Sequence, residues 1–301
     1  MIRTSVIIPT RNRPGPLTAC LRALADSFPA DAETIVVSDG DSKDLGPIVA
    51  PLVEPLRLTL IRIAHYGPAA ARNRGLEAAR GKIVAFTDDD CRPQPGWLDA
   101  LSSGVVLSPP RAVGGATYNG LPGSAYADAA QLVLFLLAVH DRKRSGRERM
   151  LPSNNVAFPT EALIKLGGFD ERFRTAEDRE LCRRWEHVGY SLGHIEEALV
   201  AHDSQLNLAS FTYKFFTYGC GAAKFHSLAP HPGIGESLSF HCRLPALLLP
   251  ELRRRSFTRG LAVAALILLW ESANFSGYVV ERIRLALRRV GSEAGAKAKV
   301  R

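Results

Sequence analysis

Ile83-Val84-Ala85-Phe86-Thr87 runs directly into Asp88-Asp89-Asp90, and this stretch decides how the rest of the chain is interpreted. A short apolar run predicts a buried strand, and the acids after it then lie at an edge of a sheet. Neighbouring like charges repel one another and are costly to bury without a partner. A divalent cation that prefers oxygen ligands is the partner that fits best. Without supporting motifs, such a triplet is more often a solvated acidic turn or a helix cap.

Short apolar runs alternate with helical patterns on the N-terminal side of the triplet. The predicted elements are strands over residues 5–8, 34–37 and 58–61 and helices over residues 14–26 and 69–79. Strands that alternate with helices predict an α/β fold with a mostly parallel sheet. In such sheets ligands bind at the carboxyl ends of the strands. Because Pro9-Thr10, Asp39 and Asp88–Asp90 all follow predicted strands, we expect them to line one crevice.

Residues 93–205 show a less regular pattern, with a predicted helix over 177–187 and a strand over 199–202 that ends in a histidine. The 301 residues and the 46% hydrophobic content suit one large α/β domain or two smaller ones. The five cysteines are scattered, which is typical of reduced thiols in a cytosolic protein. The N-terminus runs directly into the first strand pattern, so we expect no signal peptide.

The net charge of +8 is concentrated at one end of the chain. From Leu206 onward there are 14 Lys and Arg against 5 Asp and Glu, a net +9, which leaves −1 for residues 1–205. Arg253-Arg254-Arg255 precedes the apolar run Leu261 to Trp270, and basic residues alternate with apolar ones over 279–290. This composition favours helices that lie in an anionic membrane interface. Nucleic acid is the alternative partner, but the apolar runs fit a bilayer better.

We therefore predict a domain over residues 1–205, with a nucleotide-binding half (1–92) and an acceptor and catalytic half (93–205). A basic, amphipathic helical region (206–301) follows and contacts the membrane peripherally. The run Leu261 to Trp270 is too short to span a bilayer, which needs about 20 apolar residues.

Seven short blocks, in this order, resemble the family 2 glycosyltransferases of the GT-A fold. They are Val6–Asn12, Val37–Ser42, Ala71–Gly75, Phe86–Asp90, Gly167–Glu171, Glu177-Asp178 and His202. The resemblance runs over about residues 4–202. It implies a Rossmann-like, mostly parallel mixed sheet flanked by helices, here with a C-terminal amphipathic helical extension. It also implies transfer of a sugar from a nucleotide-sugar donor, usually a UDP-sugar, with inversion at the anomeric carbon.

The resemblance assigns the acidic triplet to the phosphates of the donor. It makes Asp90 a direct ligand of a divalent metal (Mn²⁺ or Mg²⁺), places Asp89 on the ribose or phosphate side, and gives Asp88 a supporting role. A divalent ion between the phosphates stabilises the leaving group as a Lewis acid. His202 is a second metal or phosphate contact, and a hydrogen-bonded histidine at a sheet end is the equal alternative.

The resemblance also implies a pocket for the base of the nucleotide. Asp39 would accept from the N3–H of uracil, and Arg72 would lie against the base. Pro9, Thr10 and Arg11 would shape the wall of this pocket, largely through their backbone. The alternatives are an Asx turn for Asp39 and a solvated helix charge for Arg72.

Inversion in one displacement needs a base that removes the proton of the acceptor hydroxyl. By resemblance this base is Asp178, with Glu177 beside it. Both acids also suit the N-terminus of the predicted helix, which is the structural alternative. Asn155 would bind a hydroxyl of the donor sugar, or would brace a buried loop instead.

The QxxRW motif of processive polysaccharide synthases is missing. We therefore expect one sugar per encounter, transferred to a lipid-linked or cell-envelope glycan at the cytoplasmic face of the membrane. Two other functions remain possible on this sequence. A nucleotidyltransferase would need a glycine-rich loop after the first strand, where the chain has Pro9–Asn12. A non-catalytic nucleotide-sugar-binding or scaffolding protein would have lost the acidic residues, which are intact here.

Overall fold

The computed structural model describes residues 2–146, 148–228 and 234–298. The strands are β1 (Thr4–Thr10), β2 (Ala32–Asp39), β3 (Leu58–Ile63), β4 (Ile83–Thr87), β5 (Cys91–Pro93), β6 (Arg111–Asn119), β7 (Asn155–Pro159) and β8 (Ser191–His202). The helices are α1 (Pro14–Ala25), α2 (Gly46–Val49), α3 (Val53–Leu56), α4 (Pro68–Ala78), α5 (Trp97–Gly104), α6 (Ala125–Ser145), α7 (Thr160–Lys165), α8 (Glu177–His187), α9 (Leu208–Leu228), α10 (Ile234–Arg253) and α11 (Phe257–Ala298).

The eight strands form one mixed sheet in the order β3-β2-β1-β4-β7-β6-β8-β5. β1 pairs in parallel with β2 and β4, and β2 pairs in parallel with β3. β7 returns antiparallel to β4 and β6. The predicted α/β architecture, a mixed sheet flanked by helices, is confirmed. Because β1, β2 and β4 run side by side in one direction, their carboxyl ends bring Thr10, Asp39 and Asp88 to the same edge.

The sheet is buried on both faces, which explains why its central strands are apolar without alternation. On one face, Val6 and Ile8 of β1 belong to a core cluster with Leu17 and Leu21 of α1. On the other face, Ile7 belongs to a second cluster that includes Trp185 of α8. Successive side chains of a strand point to opposite faces, so one apolar run serves both clusters.

The chain forms two compact units. The first comprises residues 1–122 and 138–204 and contains the whole sheet. The second comprises residues 123–137 and 205–301, and its core includes Phe211, Phe215 and Trp270. We did not anticipate from the sequence that residues 123–137, the beginning of α6, would join the second unit.

The last described helix, α11, runs without interruption through both C-terminal runs that the sequence presents as separate. By length and composition alone, its segment Phe257–Arg288 could cross a membrane. In the most apolar 18-residue stretch of this segment, 28% is buried inside the protein. We expected the apolar run Leu261 to Trp270 to be too short to span a bilayer. The helix that contains this run is long enough, so that expectation is wrong. Buried helices of soluble proteins pass the same test, so this finding alone does not establish a membrane segment.

Candidate active site

The end of β1 holds the middle carboxylate of the triplet. The Thr10 hydroxyl donates to Asp89 Oδ2 at 2.7 Å, and Asp89 is fully buried. Burial raises the pKa of Asp89 to about 7. Pro9 is half-buried and Arg11 is exposed. The side chain of Thr10 is thus engaged with the triplet, whereas we expected its contribution to the base pocket.

Arg13 is the counter-charge of two carboxylates of the acidic triplet, Asp89 and Asp90. Its Nη1 lies 2.7 Å from Asp90 Oδ2, and its Nε donates to Asp89 Oδ2 at 3.2 Å. About half of the Arg13 side chain (48%) remains exposed. The sequence interpretation did not single out Arg13, and it assigned the nearby Arg11 to the wall of the base pocket. The signal was present, because three adjacent acids need a counter-charge and Arg13 directly follows the first block.

Asp90 and His202 lie close together because β5 and β8 pair in antiparallel register, with Cys91 opposite His202. Asp90 Oδ1 is 3.5 Å from His202 Nε2, and one ligand atom from each of these three residues lies within 4.8 Å of the others. Burial raises the pKa of the Cys91 thiol well above its ordinary value, so it is a poor thiolate donor. The carboxylate and the imidazole fit a divalent ion such as Mn²⁺.

Arg72 joins the triplet to the start of α8. Its Nη2 lies 2.8 Å from Asp88 Oδ1 and its Nη1 lies 2.8 Å from Glu177 Oε1. The guanidinium carbon lies 5.6 Å from the centre of the Phe169 ring, and the side chain is buried. The expected position against a nucleotide base does not match this geometry, because two carboxylates and a ring already enclose the guanidinium.

Glu177 and Asp178 open α8, after Ala176 in a left-handed conformation with φ 68°. Asp178 Oδ1 accepts from the backbone N–H of Arg179 at 2.7 Å, and Oδ2 from that of Ser153 at 3.5 Å. Burial raises the pKa of Asp178, and it raises that of Glu177 to about 7. Glu177 is held by Arg72, whereas Asp178 keeps some exposed surface. Of the two, Asp178 is therefore the one that an acceptor can reach.

Asp39 ends β2 and organises the loop that follows β3. Its carboxylate accepts from the backbone N–H groups of Tyr66 at 2.7 Å and Gly67 at 3.0 Å, and His65 Nδ1 lies 2.9 Å away. A carboxylate has about four acceptor sites, so it retains capacity for one more donor. Gly40 has φ 76°, and a Cβ there would come within 2.9 Å of His65. His65 was also missed by the sequence interpretation.

Asn155 is fully buried and its amide is satisfied within the protein. Its Nδ2 donates to the carbonyls of Ala116 at 3.0 Å and Ala198 at 2.9 Å, and its Oδ1 accepts from Trp97 Nε1 at 2.8 Å. This geometry matches the bracing role and leaves no exposed group for a sugar hydroxyl.

The family model for Glycosyl transferase family 2 matches residues 5–160 of the chain. A pre-mycofactocin glycosyltransferase of Mycobacterium tuberculosis is 31% identical over 238 residues, which cover 73% of this chain and 46% of the relative. The chain thus spans about half the length of that relative.

Solved structures show the same fold at low sequence identity. A mannosyltransferase from Pyrobaculum calidifontis, in complex with GDP-Man and Mn²⁺, superposes with a TM-score of 0.64 at 19% identity, over 95% of this chain and 87% of that one. S. aureus TarS 1-349, in complex with UDP-GlcNAc, gives 0.55 at 17% identity, over 95% and 92%. The fold is therefore a GT-A-like α/β fold, and with more than half of its residues matching the family model the chain belongs to glycosyltransferase family 2.

Proposed function

We propose that this protein is an inverting glycosyltransferase that moves a single sugar from a nucleotide-sugar, a UDP-sugar, to a lipid-linked or cell-envelope glycan. The observation that carries the proposal is the pair of acidic clusters that Arg72 joins. One cluster, at Asp88–Asp90, suits a cation and phosphates. The other, at Glu177-Asp178, offers a partly exposed carboxylate at a helix N-terminus. A displacement needs these two functions on opposite sides of the sugar.

The donor occupies the carboxyl edge of β1, β2 and β4 in this proposal. Asp39 selects the base through its remaining acceptor capacity, which suits the N3–H of uracil. The two solved relatives carry different nucleotides, GDP-Man and UDP-GlcNAc. The assignment of UDP therefore rests on Asp39 and is the first point to test.

Asp90 and His202 would hold the divalent ion, which when bound supplies Lewis-acid stabilisation of the diphosphate leaving group. Arg13 and Thr10 fix the neighbouring Asp89 through the hydrogen bonds described above. The exposed part of Arg13 offers a further positive charge at the same edge.

Asp178 accepts the proton of the acceptor hydroxyl in this mechanism. The hydroxyl oxygen then forms a bond to the anomeric carbon while the bond to the diphosphate breaks and its electron pair leaves with the phosphate oxygen. One displacement inverts the anomeric configuration. Burial raises the pKa of Asp178, which makes its carboxylate a stronger base than that of an ordinary aspartate.

The charge of +9 over residues 206–301 supports peripheral contact with an anionic membrane at the cytoplasmic face, which is where lipid-linked acceptors would be met. The name of the mycobacterial relative points instead to pre-mycofactocin as its own acceptor. An acceptor screen for this chain therefore has to include both classes.

A panel of nucleotide-sugars, each with and without Mn²⁺, tests the donor site by thermal shift. We expect UDP-sugars to stabilise the protein only with metal, as ligands that bind the native state do. Asp90→Ala should lose the metal-dependent shift, whereas Asp178→Asn should keep the shift and lose transfer. Full transfer activity in both variants would overturn the mechanism. Donor binding without transfer would favour a scaffolding protein, and pyrophosphate release would favour a nucleotidyltransferase.

A further inference from the structure

The helix α11 has an apolar face that no described part of the second unit covers. We call it the outer face and define it by its exposed residues Leu261, Ala265, Leu268, Ser272, Phe275 and Val279. Their spacing of three and four residues places them on one stripe of the helix. Leu268 and Phe275 are 69% and 68% exposed, far more than large apolar side chains of a helix that packs only inside a protein.

The outer face is also free of charge over a long distance. Between Gly260 and Val280 the sequence has a single residue that is charged at neutral pH, Glu271. Glu271 Oε1 lies 2.9 Å from His241 Nδ1 of α10, so its charge is directed toward a neighbouring helix. Nineteen residues of helix extend for about 28 Å. An exposed apolar stripe of this length marks an interaction site.

The opposite face of α11 packs on protein. Val263, Ile267 and Trp270 are buried in a core with Phe211 and Phe215 of α9. At Gly277 the backbones of α9 and α11 are in close contact. A Cβ on Gly277 would lie 1.9 Å from the carbonyl oxygen of Phe216. The helix is therefore two-sided, with one face committed to α9 and the other exposed.

Exposed arginines flank the outer face at both ends. Arg253 and Arg254 precede it, and Arg282, Arg284 and Arg288 follow it. A helix that crosses a membrane puts its two ends on opposite sides, and positive residues favour the cytoplasmic side. A helix in the plane of the membrane keeps both ends on one anionic surface. A positive cluster at each end thus favours the in-plane arrangement.

The same charges argue against a second copy of the chain as the partner. If two copies of α11 paired along their outer faces about a two-fold axis, arginines would meet arginines at both ends. This holds for a parallel and for an antiparallel pair, because each end of the face carries a positive cluster. An anionic phospholipid surface instead complements the clusters and accepts the apolar stripe between them. Each Lys or Arg near such a surface contributes favourably to binding.

We infer that α11 lies in the plane of an anionic membrane, with its outer face in the boundary between headgroups and acyl chains and its flanking arginines on lipid phosphates. This inference refines the membrane contact of the proposed function and rests on it. The partner is the bilayer itself, and the docking surface is the outer face.

Vesicle flotation of the full chain tests the docking surface. We expect the wild type to float with vesicles of phosphatidylcholine and phosphatidylglycerol and to bind phosphatidylcholine alone at least tenfold less. The variant Leu268→Glu/Phe275→Glu should reduce flotation at least tenfold. Ile164→Glu/Val188→Glu is the matched control, since it adds the same two negative charges at exposed apolar residues of the first unit. Equal flotation of wild type and double variant would overturn the inference, as would a wild-type dimer that the double variant converts to monomer.

Cysteine labelling tests the orientation. In a Cys220→Ser/Cys242→Ser background, where the remaining cysteines are buried, single reactive cysteines are placed at the two ends as Thr258→Cys and Arg284→Cys. An impermeant maleimide added outside sealed vesicles should label both positions if α11 lies in the plane. Labelling at only one position would show a membrane-crossing helix and overturn the inference.

Nucleotide binding separates this inference from the proposed function. The double variant should keep the wild-type thermal shift with UDP and Mn²⁺, because the outer face lies outside the first unit. If the wild type shows no nucleotide shift while flotation behaves as expected, the proposed function fails and the docking surface stands. If the nucleotide shift is present but flotation does not depend on the outer face, the docking surface fails.

Discussion

Arg13 fixes the Asp90 carboxylate through one oxygen while the other oxygen faces His202. Arg13 Nη1 lies 2.7 Å from Asp90 Oδ2, and Asp90 Oδ1 lies 3.5 Å from His202 Nε2. Partners that hold a metal-binding carboxylate in place usually improve metal affinity. A guanidinium beside a metal site also repels the metal. We expect the supporting effect to dominate at this site.

We expect Arg13→Ala to lower the affinity for Mn²⁺ in the presence of UDP by about 10- to 100-fold, the usual cost of losing a supporting contact to a metal ligand. Titration calorimetry measures the affinity directly. Arg62→Ala is the matched control, because Arg62 forms its exposed ion pair with Asp44 and not with a carboxylate of the triplet. A higher Mn²⁺ affinity in Arg13→Ala would show that repulsion dominates and that Arg13 does not support the site.

Arg72 gives a second prediction, which concerns stability. Arg72→Met leaves the buried Glu177 and its neighbour Asp88 without their shared cation. Breaking a buried ion pair from one side costs about 3–5 kcal/mol of unfolding free energy. Chemical denaturation should show this loss, and Arg72→Met/Glu177→Gln should recover part of it, since the double variant no longer buries an unpaired carboxylate.

The opposite result for Arg72 is equally informative. A variant of unchanged stability with weaker UDP binding would return Arg72 to the base pocket that the family resemblance implied.

The outcome for Arg72 shows what local sequence could not supply. The parallel strands, and α8 with its bounds Glu177–His187, were predictable because their periodicity is local. Whether Arg72 faces a ligand or a carboxylate 105 positions away depends on how α4 packs against α8. The same holds for Arg11 and Arg13, which are two positions apart and of which the structure brings Arg13 to the triplet.

The region after β4 was less predictable for a related reason. β5 has three residues, and it is a strand only because it pairs with β8, which begins a hundred positions later. Asn155 was a candidate for binding the donor sugar, but its burial between Ala116, Ala198 and Trp97 becomes visible only in three dimensions.

Gly277 and Gly219 give a third prediction, for the second unit. A Cβ on either would lie 1.9 Å from a backbone oxygen of the facing helix, so Gly277→Ala forces α9 and α11 apart. We expect the free energy of unfolding to fall by about 1–3 kcal/mol, the usual cost of overpacking a core. Gly15→Ala is the control, since nothing lies within 4 Å of a Cβ there. Thermal unfolding checks both, and an unchanged midpoint for Gly277→Ala would contradict the close approach of the two helices.

Asp178 gives the last prediction, which separates catalysis from stability. Asp178→Asn should lower kcat by about 10²- to 10⁴-fold, the usual contribution of a general base, with little change in donor affinity. Asp99→Asn, an exposed acid in the first turn of α5, is the control. A wild-type rate in Asp178→Asn would exclude it as the base.

The pH dependence follows from the direction of the Asp178 pKa. Burial raises it, and the base must be ionised to act, so the transfer rate should fall as the pH is lowered through a range above the ordinary value of about 3.9 for aspartate. The folded state also binds this proton more readily than the unfolded state. The ionised carboxylate therefore lowers the unfolding free energy as the pH rises from the unfolded to the folded pKa. Asp178→Asn removes that cost, so at neutral pH the inactive variant should unfold at a temperature no lower than the wild type. A clearly lower unfolding temperature would indicate that Asp178 stabilises the start of α8, which is the structural alternative.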